Sequence, residues 1–237
     1  MYTPRSQEAG AADTVLDLRD VGDLPLPGLT AALQDACREA EQAPGAQCVL
    51  VRLGDGEPPA SRGWPHEADV QAVNRWERAL RRLEASPAVT VVAVQGVCAG
   101  PALDLLLTAD YRIAAHDLRL LLPVNEGRLW PGMAVHRLTQ QIGVARTRQV
   151  VLWAHEMTAP HARRLGLVDE VTDGSQLGPT IEAALLMLGR TAGPELAITR
   201  QLISEAASTP YEEALGAHLA ACDRELRRVA ALGGQAR

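Results

Sequence analysis

Lysine is absent from this 237-residue chain, and all 23 of its basic residues are arginine. That excludes a phosphate-loop lysine, a Schiff-base lysine and a lysine anchor for pyridoxal phosphate. Phenylalanine is absent as well, and aromatic residues make up only 3% of the chain. So thin an aromatic supply argues against a platform for stacking nucleic-acid bases. No apolar run approaches the roughly 18 residues that a membrane helix needs. The segment Met1 to Asp13 holds no apolar stretch of the secretory kind, and a cytoplasmic location is expected. The four cysteines, Cys37, Cys48, Cys98 and Cys222, form no C-x-x-C pair and read as free, buried thiols in a reducing compartment.

What is present suits an ordinary globular protein: 47% hydrophobic and 22% charged residues. The formal net charge of -6 and the pI near 5.5 argue against a nucleic-acid partner. A mass of 25.3 kDa suits one α/β domain, or a domain with a helical appendage. Thr14–Leu18 alternates like a half-buried strand. Pro25 and Pro27 then break the chain, and Leu29–Gln42 reads as a helix. Cys48–Leu53 and Val89–Val94 are buried-strand runs. Between them, Val70, Val73, Trp76, Leu80 and Leu83 recur at helical spacing over Glu67–Glu84. Strands alternating with helices in this way predict βαβ units and a mainly parallel sheet.

Farther along, Gly100–Ala109 reads as a helix beginning in a small-residue loop, Tyr111–Ala114 as a short strand, and Leu118–Leu122 as an apolar run closed by Pro123. Thr139–Leu152 and Ala159–Leu165 look helical, the second ending at Gly166 as a C-cap requires. The stretch from Gly178 to Leu232 reads as two or three helices divided near Gly193-Pro194 and Thr209-Pro210. Such a tail is large for one surface and could lie on its own domain or on a neighbouring subunit.

Four blocks carry a family likeness. Val91 to Asp104 runs from a strand through Gly96-Val97-Cys98-Ala99-Gly100-Pro101-Ala102 to an acidic residue in a helix. Ala109-Asp110-Tyr111-Arg112-Ile113-Ala114 follows, then Leu129-Trp130-Pro131-Gly132 with Arg137-Leu138, then Thr158 to Val171 with its Gly166-Leu167-Val168 core. In order and spacing the chain resembles the crotonase (enoyl-CoA hydratase/isomerase) superfamily over roughly residues 14–228. The resemblance implies an α/β, ClpP-like spiral of ββα units. It implies a crotonase-like core over 14–177 and a C-terminal helical trimerisation region over 178–237, with trimers or hexamers. It also implies an acyl-CoA thioester ligand, with no separate cofactor and no metal. The family polarises the thioester carbonyl between two backbone N–H groups, and carboxylates move protons or activate water.

Under that resemblance the first family carboxylate falls on Asp104, which has a second reading as a helix N-terminal acid favoured by the macrodipole. The second falls on Val124, which cannot transfer a proton. Glu126, two residues on, is the substitute if its loop bulges; otherwise it is a solvated glutamate. His136 is a further titratable candidate. Pro101 occupies the middle of the glycine-rich turn and has no N–H, so either Gly100 or Ala102 supplies a displaced oxyanion donor, or that half of the hole is missing. Ala60 or Ser61 is the candidate for the other. Arg62 could meet a coenzyme A phosphate. Trp76, Trp130 and Trp153 read as core, with Trp130 the best candidate for an acyl-pocket wall. Arg78, Arg81 and Arg82, interleaved with Glu77 and Glu84, read as a solvated helix face.

Within the superfamily, Gly100–Asp104, Leu121–Asn125, Trp130–Met133 and Tyr211–Leu219 resemble the B-type crotonases of 3,5-dihydroxyphenylglycine (antibiotic) biosynthesis. That likeness implies a lyase-like protein that helps a type III polyketide synthase form 3,5-dihydroxyphenylacetyl-CoA, in company with other crotonase-family proteins of the pathway. The losses at Val124 and Pro101 leave a second reading open, an accessory subunit that binds the acyl-CoA or the synthase without chemistry.

Overall fold

A computed structural model describes residues 14–19, 24–43, 47–54, 68–153 and 156–235. Five strands form the main sheet, in the order β1 (Thr14–Asp17), β2 (Cys48–Gly54), β3 (Val89–Gln95), β5 (Tyr111–Ala115) and β10 (Glu170–Thr172), every pair parallel. Its central strands are apolar at successive positions because both faces are covered. Val49, Val51, Leu53, Val92 and Val94 face one core, with helices α1 (Leu26–Gln42) and α2 (Val70–Glu84). Cys48, Leu50, Val89, Val91, Ala93 and Ile113 face the other, against Ile181, Ala184 and Leu185 of α6 (Leu177–Leu188).

At Gly96 the chain turns out of the main sheet. The three-residue β4 (Val97–Ala99) pairs in parallel with β6 (Arg119–Leu121), which pairs antiparallel with β9 (Met157–Thr158). Between β4 and β5 lies α3 (Pro101–Thr108). The succession β3–β4–α3 is one turn of the expected ββα spiral. It sets the start of α3 against α2 and against α4 (Met133–Leu152), with α5 (Ala159–Leu165) beyond.

Element types follow the sequence reading, and the boundaries differ where proline and glycine act. Helix α1 begins at Leu26, ahead of the expected Leu29, because Pro27 occupies its first turn, where no intrahelical N–H bond is needed. Helix α2 begins at Val70 because the Asp69 carboxylate accepts the Ala72 N–H at 2.7 Å as an N-cap. Helix α4 starts six residues before the expected Thr139 and breaks at Gly143, where φ is +76°. Helix α5 ends on the left-handed Gly166, as expected. Three of the cysteines are buried, but Cys222 is exposed, and all four are free thiols. Trp153 is 61% exposed rather than core.

Three helices complete the chain: α6, α7 (Pro194–Ala206) and α8 (Tyr211–Gln235). One side chain pins α7 to the core. The Arg200 guanidinium grips both carboxylate oxygens of Asp110, donates to the Ala88 carbonyl at 2.8 Å and also meets the Ser86 carbonyl. Helix α8 contacts α7, partly through Arg224 and Glu195. Its apolar residues Tyr211, Leu215, Leu219, Leu226 and Val229 are exposed. None of the described helices is long and apolar enough to cross a membrane.

Losing the Arg200 clamp leaves the Asp110 carboxylate and the carbonyls of Glu84, Ser86 and Ala88 without their shared donor. Arg200→Ala is therefore expected to destabilise the protein by about 2–4 kcal/mol. It should also accelerate proteolytic cutting between α7 and α8. Thermal unfolding and timed proteolysis check this, and an unchanged melting temperature would show that apolar contacts alone dock α7.

Candidate active site

The site begins at a backbone turn. Gly100 caps α3 with φ +55° and ψ -124°, a conformation that a side chain would strain. Pro101 follows in the first turn, where its fixed φ suits a helix and its missing N–H breaks no helical bond. The helical ladder starts with Asp104 N–H donating to the Gly100 carbonyl at 3.2 Å. The N–H groups of Ala102 and Leu103 precede that bond and have no acceptor inside the helix. A helix N-terminus of this kind favours a negatively charged oxygen.

One turn in lies Asp104, which is 6% exposed. Its Oδ2 accepts the Trp76 indole N–H from α2 at 3.1 Å. Its Oδ1 stands 3.9 Å from Arg137 Nη1 on α4, too far for a hydrogen bond. Arg137 is itself buried; its Nη2 donates to Glu77 Oε2 at 2.7 Å, and its Nε lies 3.5 Å from Glu84 Oε1. Burial pushes the Asp104 carboxyl up to about 7, and the Glu77 carboxylate adds to the rise. The Trp76 hydrogen bond and the Arg137 charge oppose it without cancelling it. A carboxyl that exchanges its proton near neutrality is suited to general acid–base work.

Gly100, Ala102 and Asp104 thus share the first turn of α3. Glu126 is not brought to them: it occupies the tip of a hairpin between β7 (Val124–Asn125) and β8 (Arg128–Leu129). There it is exposed, with φ +49° beside Gly127 at +79°. This is a two-residue turn of the primed type, so the loop closes as a hairpin rather than bulging inward. Within one chain this is the solvated position that was the alternative reading of Glu126, away from the first turn of α3. His136 is also exposed, on α4. Trp130 is half-buried, its backbone N–H donating to the Pro123 carbonyl at 3.0 Å and its indole lying over Gly132 at the start of α4. The candidates Ala60, Ser61 and Arg62 lie outside the described residues. Among the described residues, no His, Cys, Asp and Glu group is arranged to hold a metal ion.

The partners of Asp104 were not foreseen. Trp76 sits among helically spaced apolar residues and reads as core, which it is at 1% exposure. A buried indole N–H nevertheless needs an acceptor, and that requirement was the available signal. Glu77 and Glu84 lie seven residues apart, on one stripe of α2. They turn inward to Arg137, so the α2 face is only partly the solvated surface expected. Arg82 does face outward and pairs with Glu41 of α1.

Comparison with known proteins decides the family. The enoyl-CoA hydratase/isomerase family model matches residues 62–226. The chain belongs to the enoyl-CoA hydratase/isomerase (crotonase) family. An enoyl-CoA-hydratase of Amycolatopsis orientalis is 45% identical over 218 residues, spanning 91% of this chain and 97% of that protein. The enoyl-CoA hydratase structure from Mycobacterium smegmatis superposes with a TM-score of 0.78 at 17% identity, covering 97% of this chain and 93% of that one. A putative enoyl-CoA hydratase/isomerase from Mycobacterium abscessus gives 0.73 at 24% identity, covering 91% and 88%. Both superpositions show the crotonase fold, helical C-terminal region included, and the family acts on acyl-CoA substrates.

Asp104 holds its proton more tightly folded, at about 7, than at its ordinary value of 3.8. Between those pH values the native state binds the extra proton, so this residue's contribution to stability falls as pH rises through that window, by up to about 4 kcal/mol. An asparagine keeps an acceptor for Trp76 and does not ionise. Asp104→Asn is therefore expected to gain stability relative to the parent as pH rises from 5 to 8. Chemical denaturation at both pH values checks this, and a pH-independent difference would contradict the assignment.

Proposed function

We propose that this protein is a hydratase/dehydratase-like crotonase working on a coenzyme A thioester, with Asp104 as its acid–base residue. The observation that carries this reading is the Asp104 carboxyl itself, buried one turn behind the α3 N–H donors and pushed up to about 7. Ala102 N–H takes the oxyanion role that Pro101 cannot fill, and Ala60 or Ser61 completes the hole. Arg62 meets a coenzyme A phosphate, and Trp130 borders the acyl group.

The substrate class that fits a single carboxyl is a polyketide thioester. Such a chain enolises readily, and ring formation with loss of water ends in an aromatic product, so the later steps run downhill. In the protonated form, Asp104 gives its proton to a departing hydroxyl; in the ionised form, it takes one from the carbon beside a carbonyl. The physiological setting is then formation of 3,5-dihydroxyphenylacetyl-CoA beside a type III polyketide synthase. Support comes from the B-type residue pattern and from the exposed position of Glu126, which leaves one carboxyl at the turn.

Pro101 favours a second reading, an accessory subunit that holds the intermediate without chemistry. Loss of one oxyanion donor costs about 3–4 kcal/mol of transition-state stabilisation in hydrolases. One assay separates the two readings: 3,5-dihydroxyphenylacetyl-CoA formed by a type III synthase alone, with the parent protein, and with Asp104→Ala. Stimulation by the parent and not by the variant is the expected result. Equal stimulation by both would mean a scaffold, and none by either would remove the polyketide reading.

The α8 stripe supports assembly of copies of this chain. Tyr211, Leu215, Leu219, Leu226 and Val229 recur at helical spacing and are uncovered within one chain. Leu219→Glu combined with Leu226→Glu is expected to convert trimers or hexamers into monomers in sedimentation velocity. An unchanged mass would show that another surface holds the copies together.

A further inference from the structure

Arg137 serves three carboxylates from one guanidinium. Glu77 takes Nη2 at 2.7 Å, Glu84 stands 3.5 Å from Nε, and Asp104 faces Nη1 at 3.9 Å. Nη1 is buried and has no hydrogen-bond partner among the described residues. A guanidinium is a rigid planar fork, and Glu77 and Glu84 both sit on α2. With Nη2 hydrogen-bonded to Glu77 and Nε drawn toward Glu84 from that same helix, Nη1 stops short of Asp104.

We propose that Glu77 and Arg137 are positioning residues that keep Asp104 able to carry a proton: Glu77 holds the Arg137 charge off the Asp104 carboxylate. The inference rests on the reading of Asp104 as the acid–base group, and it names the control of that group.

Charge counting supports it. Three carboxylates share Arg137, and among the described residues the other cation paired within the cluster is Arg81, which meets Glu84 at 2.7 Å from an exposed position. The side chains of Glu77 and Glu84 are 20% and 23% exposed, whereas that of Asp104 is 8%. The least hydrated carboxyl is the one that keeps its proton. The other groups facing it are the Trp76 N–H from α2 and the buried Cys98 thiol from β4, which burial and Asp104 together hold protonated. Asp104 therefore feels two opposed neighbours, the negative Glu77 and the positive Arg137, and their removal should act in opposite directions. A pair that only braced α2 against α4 would show no such antisymmetry.

The test follows the Asp104 carboxyl directly, by carbon-13 NMR of protein labelled at aspartate, with the resonance identified by its loss in Asp104→Asn. In Glu77→Gln the freed guanidinium closes on Asp104, and the titration midpoint is expected to fall by about 1 pH unit, a tenfold fall in the ratio of protonated to ionised carboxyl at a given pH. In Arg137→Gln the midpoint is expected to rise by a similar amount. Arg137→Lys, which keeps the charge, is expected to restore most of the parent value. If Arg137→Gln does not fold, Glu77→Gln and Arg137→Lys decide. A midpoint that stays put or rises in Glu77→Gln overturns the proposal. The pH profile of synthase stimulation is recorded on the same proteins and should move with the midpoint. Should Asp104→Asn stimulate as well as the parent, the catalytic reading fails, while the titration still decides whether Glu77 and Arg137 control the carboxyl.

Discussion

The Arg137 guanidinium stands where α2, α3 and α4 meet, and much of the site's chemistry descends from how its single charge is divided. One corner is hydrogen-bonded to Glu77 and a second is drawn toward Glu84 of the same helix, so the third reaches toward Asp104 and stops short. That unequal division has consequences on each helix. It turns Glu77 and Glu84 inward and ties α2 to the start of α4. It also leaves the most buried carboxyl with one neutral donor, Trp76, and an incomplete countercharge. Desolvation then dominates, and the proton stays on Asp104 to near neutral pH.

The turn before Asp104 shows one residue serving two requirements in opposite ways. Proline in the first turn of α3 suits the helix, because its φ is already helical and the missing N–H is not needed there. The same missing N–H leaves the turn before Asp104 with one backbone donor fewer. The donors that remain belong to Ala102 and Leu103, displaced toward the carboxyl. Gly100 makes this geometry accessible by adopting a backbone conformation strained for other residues.

The C-terminal helices depend on different physics. Arg200 uses its whole fork on one carboxylate and on carbonyls at the end of α2 and the start of β3, which orients α7 without a large apolar interface. Helix α8 continues beyond, its apolar residues uncovered. Their spacing is legible in the sequence, whereas their exposure within one chain became known only from the fold.

Local patterns carried most of the fold. Strand and helix types, the parallel sheet, the C-cap at Gly166 and the divisions of the helical tail follow from periodicity and from glycine and proline, and motif order carries the family. Boundaries shifted where a proline could either break a helix or begin it, as at Pro27, and where a glycine interrupts a helix unannounced, as at Gly143. Asp104 and its turn were legible for the same reason, because the site's backbone is continuous in sequence. Its electrostatics were not. Trp76, Glu77 and Arg137 lie 27 to 33 residues from Asp104 in the chain, and each has an ordinary local role that conceals the long-range one. The outward turn of Glu126 likewise depended on whether its loop closed as a hairpin. By itself the sequence determined which groups were available and which backbone turns they could make, since those depend on neighbours along the chain. Only the tertiary structure decided which charges share one buried volume, because desolvation and Coulomb interaction depend on distance in space.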